Sequence, residues 1–158
     1  MNYYTKQTII GKVTITEEKG FITSLNYGNY KGDGLHDKNS LSEILEQAFH
    51  QLEEYFSVAR KTFDLPLNPK GTPFQQKVWS CLYKIPYGEM RTYKDIAEQI
   101  GDKNACRAVG NANNKNPIPI FIPCHRVISS DSSIGGYSGG LDIKTKLLKI
   151  EGIVVFCE

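Results

Sequence analysis

What the chain lacks narrows its identity first. No apolar run among its 158 residues approaches the roughly 20 that a membrane-spanning helix needs, so no transmembrane helix is expected. The opening MNYYTKQTIIGK has no charged n-region, no apolar h-region and no small-residue cleavage site. We therefore expect a protein that stays in a reducing cytosol. Cysteine is sparse: Cys81, Cys106, Cys124 and Cys157, with no C-x-x-C pair. The histidines His36, His50 and His125 are scattered, so neither a structural zinc site nor a disulfide framework is expected. Excess charge is missing too, with 19 basic and 17 acidic side chains, a net +2 that does not announce a polyanionic partner. Apolar residues are not short. A hydrophobic fraction of 40% with 11% aromatics argues against disorder.

What is present falls into two lobes. Residues 1–69 carry 7 basic and 9 acidic side chains, whereas residues 70–158 carry 12 and 8, net +4, making the second lobe the candidate for an anionic partner. In the first, TIIGKVTITEEKGFITSLNYG alternates apolar and polar residues around Glu18-Lys19-Gly20, which predicts a hairpin. Ser40 with Glu43 matches a capping box, and Leu41, Ile44, Leu45, Ala48, Phe49, Leu52 and Phe56 keep helical spacing after it. No motif in this lobe carries chemistry, so it reads as a scaffold. FDLPLNPKG, from Phe63 to Gly71, reads as an extended linker broken by two prolines.

The second lobe opens on strong helix signals. Thr72-Pro73-Phe74-Gln75 combines an N-cap, a proline at the first helical position and a capping-box glutamine. Thr92 caps a helix that stops before Gly101, and Asn104 can cap another running to about Asn113. Two short helices joined by a glycine-containing turn have the outline of a helix-turn-helix. Ala105, Ala108, Gly110 and Ala112 leave the second helix bare, with Arg107 as its one long cation. Tight helix packing would use such a surface, and so would close approach to a DNA groove; composition does not choose.

NPIPIFIPCHRVI, from Asn116 to Ile128, sets Cys124 beside a base and a fixed charge. An unperturbed thiol with a pKa of about 8.5 is only a few per cent ionised at neutral pH. Lowering it to about 6 needs roughly 3.4 kcal/mol, slightly more than one charged hydrogen bond supplies. His125 is the nearest base, reachable if the chain turns there or a water bridges. The following SSIGGYSGGLD surrounds Tyr137 and Ser138 with glycines, so backbone groups and an aromatic face could meet a nucleobase. Glu151 ends a helix from about Asp142 to Ile150, where a carboxylate opposes the helix dipole by about 0.3–1 kcal/mol unless it orients a histidine.

Together GTPFQQKVW, IPYGEMRTY, ACRAVGNANNKNPIPIFIPCHRVI and GGYSGGLDIKTKLLKIEG resemble the methylated-DNA–protein-cysteine methyltransferases, the O6-alkylguanine-DNA alkyltransferases. The resemblance covers Gly71 to Gly152 and implies an α+β fold. A ribonuclease-H-like strand and helix lobe would precede a mainly helical lobe with a winged or helix-turn-helix DNA-binding motif. It implies single-turnover transfer of the alkyl group of O6-alkylguanine, with O4-alkylthymine a further candidate, from double-stranded DNA to Cys124. His125 would activate Cys124 through a water, Glu151 would orient His125, and Asn116 would hold the loops. Arg107 would fill the gap left by the flipped base, and Tyr93 would help rotate the nucleotide. Ala105, Ala108, Gly110 and Asn111 would lie along the DNA. Val127, Tyr137, Ser138 and Gly139 would line the base pocket.

The same resemblance implies no cofactor and no metal, since this chain has no cysteine before Cys81 for the zinc site of some animal members. It implies no membrane and a monomer, with cooperation along DNA open. Such a protein would be cytoplasmic and nucleoid-associated when bound, or nuclear in a eukaryotic source. One departure is Cys106, where the family commonly has alanine beside the arginine. The runner-up is a non-catalytic alkyltransferase-like protein that binds O6-alkylguanine lesions; those relatives lack the acceptor cysteine. A Cys-His hydrolase would leave the paired helices and Arg107 idle.

Overall fold

The structure, a computed structural model, describes residues 1–30, 32, 37–130, 134–137 and 139–154. The chain forms two compact units, Met1–Lys70 and Gly71–Glu158.

In the first unit, β1 (Asn2–Thr8) pairs antiparallel with β2 (Gly11–Glu18), which pairs antiparallel with β3 (Phe21–Tyr27). The β2–β3 turn is the expected one. Lys19 and Gly20 both take positive φ, 54° and 82°, as a two-residue turn matched to strand twist requires. Short β4 (Lys38–Asn39) adds parallel to β1, giving the order β3-β2-β1-β4. Helix α1 (Glu43–Phe56) buries Leu45, Ala48, Phe49, Leu52, Tyr55 and Phe56, while Val13, Ile15, Ile22 and Leu25 supply the sheet side of the core. Its cap is Ser42, not the expected Ser40, whose amide instead donates to Tyr3 and prolongs the β4–β1 pairing. The proline-broken stretch is not a free linker. Gln51 exchanges two hydrogen bonds with the Asp64 backbone, and Ile22 pairs with Pro66 and Asn68.

The second unit opens on α2 (Pro73–Tyr83), started by the full Thr72–Gln75 capping box. It continues through β5 (Arg91–Thr92), α3 (Tyr93–Gln99) and α4 (Cys106–Asn114). Gly101, at φ 89°, turns the chain between α3 and α4, the helix-turn-helix pair. Ala105, not Asn104, stands at the start of α4 and has no side-chain cap, because Asp102 takes the Asn104 amide on its carboxylate and the Ala105 amide on its carbonyl. Trp79 donates its indole N–H to Ala112 at 2.9 Å and so ties α2 to α4.

After α4 the chain runs buried from Ile118 to Ile128, which would leave backbone groups stranded without local partners. Asn116 supplies several of them, donating to Ile122 at 2.8 Å and accepting from Ile118 at 3.0 Å. Ile120 completes this loop at φ 74°, a left-handed conformation that costs a β-branched residue about 1–2 kcal/mol. The strained loop delivers a single 3-10 turn, Cys124–Arg126, and then β6 (Val127–Ile128), parallel to β5. Helix α5 (Leu141–Ile150) closes the unit and ends at Glu151.

Candidate active site

Cys124 and His125 do not lie on a strand. The 3-10 turn bends the chain between them, which removes the objection that neighbours on an extended segment face opposite ways. Cys124 is 1% exposed, and His125, Arg126, Asn116 and Glu151 are all buried.

Glu151 organises the far side of this turn. Its Oε2 lies 2.5 Å from His125 Nε2, and its Oε1 accepts from Arg126 Nε at 2.8 Å and from the Gly88 amide at 3.0 Å. Arg126 adds a bond from its terminal nitrogen to Oε2 at 3.2 Å and another to the Ile85 carbonyl at 2.7 Å. Burial alone would favour a protonated carboxyl, but the hydrogen bonds and charges of His125 and Arg126 outweigh it and hold Glu151 at about 2. The same donors offset the unfavourable place of a carboxylate at a helix C-terminus. His125 titrates below its ordinary value: burial disfavours the imidazolium, the Arg126 and Lys144 charges add to that, and Glu151 opposes them. The Glu151 carboxylate is therefore ionised where it meets Nε2 of His125.

The sulfur does not match the expectation of a lowered pKa. Burial pushes the Cys124 thiol up to about 11, although Asn116, Lys144 and Tyr137 all favour the thiolate. Holding a thiolate there at pH 7 costs on the order of 5 kcal/mol. The sequence anticipates His125 as the helper of the sulfur, but neither these three groups nor the desolvation that opposes them. Cys124 is a thiol at rest, so its ionisation has to accompany proton loss to a base.

Other expected residues fall around this centre. Tyr93 starts α3, and a Cβ at Gly135 would come within 3.1 Å of its hydroxyl, while one at Gly110 would meet its ring at 3.9 Å. Burial, then the nearby Cys124 charge, raises the Tyr93 pKa, with a backbone hydrogen bond at Gly136 acting the other way. Val127 is fully buried behind the turn; Tyr137 and Gly139 are half-buried, and Ser138 lies outside the described residues. On α4, Arg107, Ala108 and Asn111 are exposed on one face, with Ala105 and Gly110 half-exposed beside them. Cys106 turns its thiol back onto the Lys103 carbonyl at 3.7 Å. Among the described residues no cluster of histidine, cysteine or carboxylate side chains could hold a metal ion.

With that geometry in view, two family models match the chain. Residues 1–69 fit the ribonuclease-like domain of 6-O-methylguanine DNA methyltransferase, and residues 73–153 fit its DNA-binding domain. The chain belongs to the 6-O-methylguanine DNA methyltransferase family. Among its relatives in that family, the constitutive methylated-DNA–protein-cysteine methyltransferase of Bacillus subtilis is 49% identical, over 97% of each chain. A crystal structure of Mycobacterium tuberculosis OGT in complex with DNA superposes with a TM-score of 0.89 at 40% identity, covering 96% of this chain and 93% of that one. Schizosaccharomyces pombe Atl1, solved with DNA containing O6-carboxymethylguanine, is 31% identical with a TM-score of 0.51, over 56% of this chain and 84% of its own.

Sequence reasoning passed over three buried groups of this methyltransferase site. Arg126 grips Glu151; Asn113 donates to the Cys124 carbonyl at 3.4 Å; Lys144 is fully buried. A signal for the last was present. Lys144 and Glu151 share the 3–4 residue spacing of Leu147 and Leu148, so they lie on the inward stripe of α5.

Proposed function

We propose that this protein repairs DNA directly, moving the alkyl group of O6-alkylguanine in a duplex onto Cys124, once per molecule. One observation carries the proposal: a buried cysteine is followed, within a single 3-10 turn, by a buried histidine whose Nε2 lies 2.5 Å from the Glu151 carboxylate. That is a nucleophile, a base and an orienter, in the order nucleophilic catalysis requires.

The proton leaves the Cys124 sulfur for His125, directly or through one water, as the sulfur attacks. A new S–C bond forms while the C–O6 bond breaks. The proton returns to the departing guanine, which regains its normal N–H, so atoms and charge balance with no further reactant. The imidazolium formed on the way is stabilised by Glu151, which Arg126 keeps ionised. Burial opposes a free thiolate, so the base that takes the proton has to stand beside the sulfur when it attacks. A thioether does not reverse, so the molecule is spent.

An O6-alkyl group inside a duplex is out of reach of a buried sulfur, so the nucleotide must swing out of the stack, at a cost of a few kcal/mol. Arg107 stands on the exposed face of α4 and can fill the vacated space, while Ala108 and Gly110 allow a groove to approach closely. Tyr93 and the loop of Tyr137 and Gly139 receive the base. We propose further that the protein acts as a monomer, in the compartment that holds the DNA.

A lesion-binding protein without transferase activity would need no nucleophile, and the presence of Cys124 with its base favours transfer. Incubation with duplex carrying radiolabelled O6-methylguanine tests the choice. The expected result is label moved to protein, up to one equivalent, and none moved by Cys124→Ala. Tight binding without transfer by the unaltered protein would support the lesion-binding alternative.

A further inference from the structure

Lys144 is out of place by every local rule. It is 0% exposed, it lies in the first turns of α5 where the helix dipole disfavours a cation, and no carboxylate pairs with it among the described residues. An unpaired buried ammonium is expensive, and a protein that keeps one gains something from its charge.

Its surroundings point to what is gained. Nζ donates to the Val127 carbonyl at 2.7 Å and to the Gly136 carbonyl at 3.1 Å. Val127 follows the Cys124–Arg126 turn directly, and Gly136 precedes Tyr137, which hydrogen-bonds the sulfur. One ammonium thus fastens the strand leaving the nucleophile to the glycine loop on its other side. An ammonium has three N–H groups, and two serve those carbonyls.

The charges it can act on are few. Its field reaches Cys124, where it favours the thiolate, and His125, where it disfavours the imidazolium. Arg126 and Glu151 are paired with each other, and the hydroxyls of Tyr93, whose pKa burial raises, and of Tyr137 lie near the sulfur. Burial outweighs the opposing pull of Cys124 and leaves Lys144 at about 8, so it remains cationic at neutral pH.

We propose that Lys144 is a positioning residue for alkyl transfer, pinned between two loop carbonyls so that its positive charge meets the negative charge appearing on Cys124 sulfur. The inference deepens the transfer mechanism and rests on it. It assigns the thiolate a counter-charge distinct from the base that takes the proton. His125 removes the proton; Lys144 makes the sulfur left behind tolerable in a dry site.

The test separates charge from clamp, and sulfur reactivity from DNA repair. Lys144→Met removes charge and donors, Lys144→Gln keeps two donors without charge, and Lys144→Arg keeps charge. Each folded variant, checked by circular dichroism, is alkylated at Cys124 with iodoacetamide across pH, which needs no DNA. Expected is a rate–pH curve displaced upward by about one pH unit in the Met and Gln variants, a loss of about tenfold at pH 7, with the Arg variant close to the unaltered protein. Lys144→Met is expected to fold, since an apolar residue in place of a buried charge is often neutral or stabilising. If it does not, Lys144→Gln decides. A Gln variant with the unaltered curve would overturn the proposal, because hydrogen bonds alone would then account for the residue. Failure of methyl transfer from DNA by the unaltered protein, with these curves as expected, would sink the repair mechanism and leave the role of Lys144 standing.

Discussion

Glu151 receives hydrogen bonds from His125, from two nitrogens of Arg126 and from the Gly88 amide, all within one buried corner. Its carboxyl is held at about 2 against an ordinary value of 4.5, so the folded state binds fewer protons than the unfolded chain between those limits. The stability it contributes is complete above about pH 4.5 and is lost as pH falls through about 2. Urea unfolding across this range is expected to show that loss, on the order of 3 kcal/mol, and Glu151→Gln is expected to abolish it. The same variant strands the Arg126 guanidinium and is expected to cost about 3–5 kcal/mol at pH 7. Methyl transfer should fall about a hundredfold, as expected when a general base loses its support. Sequence pointed to Cys124, His125 and Glu151 as candidates for nucleophile, base and orienter because each residue type has a chemical use in that setting, and the fold sets His125 against Glu151. It hid Arg126 and Lys144 because cations are ordinarily solvated, and burial is a property of the folded chain rather than of the residue. The raised thiol pKa escaped the sequence reading for the same reason, since the dry surroundings of Cys124 exist only in the folded chain.

Helix α4 presents Arg107, Ala108 and Asn111 to solvent while Val109, Ala112 and Asn113 pack inward. Its exposed face is therefore small and nearly bare apart from one cation. Arg107→Ala is expected to slow repair of a duplex about tenfold, on the order of 1.4 kcal/mol, and to leave transfer from free O6-alkylguanine base unchanged. Single-turnover rates on both substrates check this, and equal losses would remove the base-replacement role. Capping chemistry made much of the element structure readable. Thr72 and Gln75 start α2, and Thr92 starts α3, as their residue types require. Where tertiary pairing claims a backbone amide, the local signal fails: Ser40 extends the β4–β1 ladder, so Ser42 caps α1. Strand β1, Asn2–Thr8, was missed because its NYYTKQT carries no clear apolar alternation, its place being set by pairing with β2 from Gly11 to Glu17.

On the scale of the whole molecule, two units divide the labour. Chemistry-bearing residues all fall in Gly71–Glu158, which also holds the net positive charge, whereas Met1–Lys70 is built around a four-stranded sheet and one helix. The strand-then-helix order of the first unit was legible from its hairpin pattern and helical spacing, its ribonuclease-like character only through the family resemblance, and the second unit from its motifs. With a modest net charge of +2, affinity for undamaged duplex should be moderate and should fall log-linearly with salt, at about 0.9 per phosphate contacted. Fluorescence anisotropy of a labelled duplex at several salt concentrations measures that slope, and a flat response would contradict groove binding. The most direct test of the central claim is peptide mass spectrometry after incubation with excess O6-methylguanine duplex. The account predicts one methyl per protein, on the peptide bearing Cys124, and no turnover beyond it. A methyl on Cys106 or Cys81, or guanine released catalytically beyond one equivalent, would contradict it.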